Sequence, residues 1–184
     1  MLTSAFVLSI AVGLVRRGSL RRFADLNLKA LWLVAVAFGL QFATRVGGYG
    51  GPVLAGAVYA GTYALLVAFV ILNRSRWELM VMGIGLLSNA LVIWVNGGKM
   101  PVSTAAFLAA TGTPFSLDDP THIPLNAVTR LKWLGDLWAL KRPFPLPGVF
   151  SLGDVVVCIG LFLLVQHVMV PGRSSASSAK TTST

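Results

Sequence analysis

Apolar residues in this chain fall in long runs, not at alternating or helical intervals. Segments at about 28–46, 53–72, 77–95 and 153–170 carry almost no charge, and a shorter run, MLTSAFVLSIAVGLV, occupies about 2–15. A helix that is apolar on every side suits lipid or a deep core. At about 1.5 Å of rise per residue, the runs 53–72 and 77–95 cover a hydrocarbon layer of about 30 Å. The pattern predicts an all-α integral membrane protein: a bundle of about five transmembrane helices with the lipid bilayer as its first partner. The opening run is short for a span. No positive charge precedes it and no small-x-small cleavage site follows it, so a retained helix is expected, not a signal peptide.

Helix punctuation supports these boundaries. Asn27 is placed to cap the second run, and Pro52 falls where a first-turn proline is tolerated. Ser75-Arg-Trp-Glu78 has capping-box spacing, so Glu78 is expected to satisfy a free amide at the start of the fourth run. Asn96-Gly97-Gly98 ends that helix, and Pro171-Gly172 ends the fifth. GGYGG at 47–51 lacks the strand-to-helix setting of a nucleotide loop and is a connector. The predicted organisation is a transmembrane bundle over 1–171, which includes an outer cap at 96–149, and a disordered cytoplasmic tail at 172–184. Gly56, Ala60, Ala64 and Ala68 line one helical face, as do Ala35, Gly39 and Ala43. Such stripes let helices approach closely; internal packing is expected, although a homo-oligomer seam uses the same chemistry.

The cap departs from the rest. It begins with NGGKMPV and a predicted short helix from about Ser103 to Ala110, then a polar turn, TPFSLDDPTHIP. NAVTRLKWLGDLWALK follows, with Val128, Leu131, Leu134, Trp138 and Leu140 set beside charges. A short helix or turn pair lying in the membrane interface is predicted there. Proline-rich RPFPLPGVF leads back into the bilayer.

Composition and charge refine the picture. Hydrophobic residues make up 55% and charged residues 11%, with mean hydropathy +0.77. A formal charge of +9 would suggest nucleic acid in a soluble protein. Here the cations cluster in short connections: Arg16, Arg17, Arg21, Arg22 and Lys29 in the first, Arg74 and Arg76 in the third, Arg173 and Lys180 in the tail. Five spans put all three segments on one side. The positive-inside bias makes that side cytoplasmic, the N-terminus external and nucleic acid an unneeded partner. The expected location is the bacterial cytoplasmic (inner) membrane. Trp32 and Trp77 then mark the inner boundary and Trp94 the outer one.

Candidate chemistry gathers outside. Asp118, Asp119, Asp136 and Asp154 lie there with Lys99, Arg130, Lys132, Lys141 and Arg142, and Gln41, Arg45, Asn89 and Asn96 fall in or near the outer halves of spans. Intramembrane polar groups are expensive unless paired or lining a wet cavity. An outward polar pocket is predicted, roofed by the cap and floored by spans two, four and five, with Asn89, Asn96, Lys99, Arg130, Lys132, Asp136 and Asp154 as its candidate residues. Each has a plainer role available. Ser151-Leu-Gly-Asp154 is a capping box. Asp136 can pair with Arg130, Lys132 or Lys99, Asn89 and Gln41 can bond between helices, and Arg45 can snorkel. His122 and His167 fall on opposite sides of the membrane. No cluster has metal-ligand spacing, the lone Cys158 forms no internal disulfide or Cys-based zinc site, and no cofactor is implied.

NGGKMPV, TRLKWLGD (Thr129 to Asp136) and FSLGDVV (Phe150 to Val156), with the early RRGSLRRFADLNLKALWL, resemble a family of small bacterial multi-pass membrane proteins classed as a domain of unknown function. The likeness covers roughly residues 1–170. It implies a bacterial membrane protein and supplies no activity, cofactor or catalytic residue.

The function expected is therefore a non-catalytic membrane component that binds a ligand or a membrane-protein partner through its outer face. One alternative is a membrane-embedded enzyme for a lipid or lipid-linked substrate, with Asp136 and Asp154 as acid and base and Lys99, Arg130 and Lys132 holding a phosphate. A small transporter is the other, although no inverted repeat is visible.

Overall fold

The computed structural model describes residues 1–47, 51–143 and 147–170. The polar tail, its Pro171-Gly172 stop, the middle of GGYGG, the Phe144–Leu146 stretch and the Arg45 side chain lie outside the described residues. Five long helices occupy the predicted runs: α1 (Leu2–Val15), α2 (Trp32–Gly47), α3 (Gly51–Leu72), α4 (Trp77–Val95) and, after the short cap helix α5 (Thr104–Thr111), α6 (Leu152–Met169). Of these, α4 and α6 are long and apolar enough to cross a membrane. Leu2–Val15 and the stretches Trp32–Thr44 and Gly56–Leu72 are shorter apolar helices.

The long helices neighbour one another in the spatial order α2, α3, α4, α6, α1. Successive neighbours run antiparallel except α1, which lies parallel to α6, with Ser9 near Gln166 and Gly13 near Met169. The α4–α6 contact is the tightest because glycines remove side chains from it. A Cβ on Gly160 would come within 2.7 Å of the Met82 amide nitrogen and 2.8 Å of the Glu78 carbonyl. The α2–α3 seam uses Leu33, Ala37 and the Gln41 Nε2–Thr62 Oγ1 hydrogen bond of 2.7 Å. At the α1–α6 seam, Gln166 accepts from Arg16 at 2.9 Å and donates to the Ser9 carbonyl at 2.7 Å.

Several local expectations fail for physical reasons. Ala35, Gly39 and Ala43 face outward, and a Cβ at Gly39 would meet nothing within 4 Å. The small stripe of α2 is therefore not an internal seam. In α3 the stripe is divided: Gly56 is buried, Ala60 and Ala68 are half-buried, and Ala64 is exposed. Asn27 caps nothing, since α2 begins at Trp32. The preceding loop is instead held by buried Asn73, which bonds both the amide and the carbonyl of Lys29, at 2.8 and 2.9 Å. Glu78 makes no capping bond; Arg76 is the N-cap residue of α4, with no side-chain cap. Fully buried, Glu78 pairs across the α4–α6 contact with the exposed His167.

The chain is mostly helical, yet not all-α. The cap holds four three-residue strands: β1 (Met100–Val102) pairs in parallel with β2 (His122–Pro124), and β3 (Trp138–Leu140) pairs antiparallel with β4 (Gly148–Phe150). Where a short helix or turn pair was expected at 126–141, the chain forms a 3-10 turn at Lys132–Leu134 followed by β3. Leu131 and Leu134 pack inward on Val92, Ile93 and Met100, while Val128 and Trp133 stay exposed. The short cap helix forms as predicted, with the Ser103 hydroxyl accepting from the Ala106 amide at 3.3 Å.

Candidate functional site

The cap is organised by β1, the buried strand of the NGGKMPV segment. Gly97 and Gly98, with φ of 73° and 86°, end α4 and turn the chain into it. Met100 and Val102 exchange backbone hydrogen bonds with the β2 segment: the Met100 amide donates to the Thr121 carbonyl at 2.8 Å, and the Leu125 amide donates to Val102 at 3.0 Å. Pro101 and Ser103 face the other way. The Asp136 amide donates to the Pro101 carbonyl at 2.8 Å and the Ser103 amide donates to the Asp136 carbonyl at 2.9 Å. Pro101 contributes a carbonyl alone, so its missing N–H leaves no gap in the ladder. Gly135 is required beside it, because a Cβ there would lie 2.6 Å from the Pro101 oxygen.

This layout sets His122 and Asp136 on opposite sides of β1, and their side chains meet. His122 Nε2 lies 3.3 Å from Asp136 Oδ2, and His122 Nδ1 lies 3.1 Å from Asp119 Oδ1. Asp119 is fixed locally. Its Oδ1 also accepts from the backbone amides of Thr121 and His122, both at 2.8 Å, and from the Thr121 hydroxyl at 3.0 Å. Burial pulls the His122 pKa down, but bonds to Asp119 and Asp136 outweigh it and push it up to about 9. Burial raises Asp119, yet the His122 bond and the two amides hold it well below the usual carboxylate range. Asp136 is only 6% exposed; burial raises its pKa, His122 offsets part of that, and the charge of Asp154 adds to it. The resulting array is an imidazolium between an ionised carboxylate and one that resists ionisation. Asp136 Oδ1 is buried and accepts no hydrogen bond among the described residues.

The other predicted residues fall around this array in three ways. Asn89, buried in α4, donates to Asp154 Oδ1 at 2.9 Å and accepts from the Ser151 hydroxyl at 2.9 Å. Asp154 Oδ2 accepts from the Ser151 amide at 2.9 Å, which completes the predicted capping box of α6. Asn96 is a clamp: it donates to the Val92 and Arg130 carbonyls and accepts from the Arg130 amide, at 2.8 to 3.0 Å, tying the 126–131 loop to the end of α4. Lys99 Nζ donates to the Asp119 carbonyl at 2.8 Å, so it supports the turn that carries His122. Arg130 and Lys132 are exposed.

One sequence expectation is corrected here. The ionic partner of Asp136 is His122, not Arg130, Lys132 or Lys99, because those cations stay solvated or bond to backbone. Under the cap, Tyr59 and Tyr63 of α3 pack against Val92, Ile93 and Met100, and Tyr63 lies within electrostatic reach of Asp136 and Asp154. His122 is the residue that sequence reasoning passed over. Its signal was the Asp119-Pro-Thr-His122 spacing, which lets a carboxylate close a turn onto the histidine three residues on. Among the described residues no group of three or more His, Cys, Asp or Glu is placed to hold a metal ion.

Residues 25–166 match a family of unknown function, DUF5317, and the chain belongs to that family. An uncharacterised protein of Thermotoga maritima is 28% identical over 167 residues, 89% of each chain. No solved structure matches.

Proposed function

We propose that this DUF5317 protein is a multi-pass component of the bacterial cytoplasmic membrane that binds a ligand or partner, without catalysis, through its outer cap. Embedding in lipid is supported by α4, which is apolar on its exposed face as well as its buried one. Its buried face holds the polar Glu78 and Asn89 among Leu79, Val92 and Ile93, while Met80, Ile84, Leu87, Leu91 and Trp94 are exposed. Charge supports the orientation. The end holding Arg16, Arg17, Arg21, Arg22, Lys29, Arg74 and Arg76 carries Asp25 and Glu78 as its acids among the described residues, whereas cap cations and carboxylates are nearly balanced. The N-terminus is then external and the C-terminus cytoplasmic.

The observation that carries the binding reading is Asp136. A buried carboxylate with one oxygen lacking a donor, beside a charged imidazole, is an acceptor suited to an N–H or O–H donor from outside. The lipid-enzyme alternative needs Asp154 as a second free carboxylate, and its oxygens are occupied, one by the Ser151 amide in the α6 cap and one by Asn89 of α4. Two measurements test the proposal. In a Cys158→Ser background, an impermeant maleimide added to intact cells should modify Asp118→Cys and spare Ser19→Cys; the reverse pattern refutes the orientation. Affinity capture in mild detergent should recover a bound species with wild type and lose it with Asp136→Asn, while Asp118→Asn retains it. Equal recovery by all three, or by none, refutes the site.

A further inference from the structure

The α1–α6 pair leaves an apolar groove of about 790 Å³ on the outer half of the bundle. Ala5, Leu8 and Ala11 line one wall, and Ile159 and Phe162 line the other. On α1 the lining residues run from Thr3 to Ala11, and on α6 from Val155 to Leu163, about 12 Å of length at helical rise. Leu140, the last residue of β3, closes the outer end. The next two residues, Lys141 and Arg142, are both exposed. Asp154, near the start of α6, has both oxygens bonded, Oδ2 to the Ser151 amide in the capping box and Oδ1 to Asn89 of α4. Two exposed cations therefore follow Leu140 directly in the chain at that end of the groove, and among the described residues neither forms an ion pair. The volume falls within the range of sites that bury a small ligand.

We infer that this groove holds one acyl chain of an anionic phospholipid of the outer leaflet, with its phosphate against Lys141 and Arg142. The inference rests on the membrane-embedded reading and goes beyond the cap site. An acyl chain gains little by leaving bulk lipid for an apolar groove, since lipid tails are as apolar as its walls. Selectivity must then come from the two cations, each worth about a fivefold preference near an anionic headgroup. Retention comes from the shape of the groove between the helices. Phosphatidylglycerol and phosphatidylcholine chains would fit that shape equally; only the first should be held.

The test reconstitutes the full chain in phosphatidylcholine vesicles with a small fraction of spin-labelled phosphatidylglycerol or spin-labelled phosphatidylcholine. Wild type should immobilise the phosphatidylglycerol label at least tenfold more favourably than the phosphatidylcholine label. Lys141→Glu with Arg142→Glu should abolish that preference. Ala11→Trp and, independently, Ile159→Trp should fill the groove and reduce the immobilised fraction; using two positions guards against one variant failing to fold. Equal immobilisation of both labels by wild type overturns the inference, as does a preference that survives both tryptophans. A dimer whose interface buries Cys158 also overturns it, by showing that a second copy occupies the groove. Failure of the chain to remain in vesicles after alkaline extraction would instead refute the embedded reading itself.

Discussion

Replacing His122 with alanine removes the cation shared by buried Asp136 and half-buried Asp119, and the cost can be worked from the geometry. Asp119 keeps its two amide donors and the Thr121 hydroxyl, all within 3.0 Å. Asp136 keeps nothing: its Oδ1 has no donor, and its Oδ2 loses the imidazole at 3.3 Å. Raising the imidazole from 6.5 to about 9 corresponds to about 3 kcal/mol, at about 1.4 kcal/mol per pH unit. That agrees with the general cost of about 3–5 kcal/mol for breaking a buried ion pair by removing one partner. For a chain of this size it is a fall in Tm of about 6–12 °C.

The sign of the pH dependence follows from the two partners. His122 has its pKa raised on folding, so its contribution is fully present below 6.5 and is lost as pH rises through about 9. Asp136 also has a raised pKa, so the penalty of an unpaired carboxylate is relieved as pH falls through its folded value. The difference between wild type and His122→Ala should therefore be full below about pH 6.5, shrink as pH rises through about 9, and narrow at the acid end where Asp136 takes up a proton. Thermal scans of tryptophan fluorescence in detergent measure it, because Trp133 and Trp138 flank Asp136 in sequence. His122→Ala with Asp136→Asn should recover at least half of the loss, since a neutral amide needs no cation. A His122→Ala protein within about 1 °C of wild type at pH 7 would refute the reasoning. So would a difference that is flat from pH 7 to pH 10.

The remaining expectations concern packing and clamps. Gly160→Val should abolish or severely reduce folded protein, because its Cβ meets the backbone of α4, whereas Gly39→Val should leave Tm within about 1 °C; detergent thermal scans compare them. Gly135→Ala should cost about 2 kcal/mol or more by pushing β1 off the Asp136 segment, read as a Tm loss of about 4–8 °C. Asn96→Ala removes three backbone-directed bonds and should speed proteolysis within 126–131 at least several-fold while α4 and α6 stay protected.

The helices were legible because lipid-like burial asks only for length and apolarity, which a single sequence displays. Which face of a helix turns inward was not, and α2 shows why. Its small residues and its bulky ones are both compatible with an apolar surrounding, so nothing in Ala35, Gly39 and Ala43 marks them as outward. Glu78 misled for the opposite reason. Its spacing from Ser75 fits a cap, but the decisive partner, His167, sits 89 residues away and reaches it because Gly160 lets α6 approach. The cap was the least readable part. Three-residue strands show no alternation, and β1 draws its neighbours from segments 22 and about 34 residues downstream. The pairing of the polar residues depended on that crossing. Asp136 was paired on paper with abundant arginine and lysine, long side chains that lose little by remaining in water. The short, half-apolar imidazole of His122 is the base that can be buried beside it, and burial is what gives both groups shifted affinities for protons. The same strand that hides this pair leaves one carboxylate oxygen without a donor. In this cap, the feature hardest to read in the sequence and the one most suited to binding have a common origin.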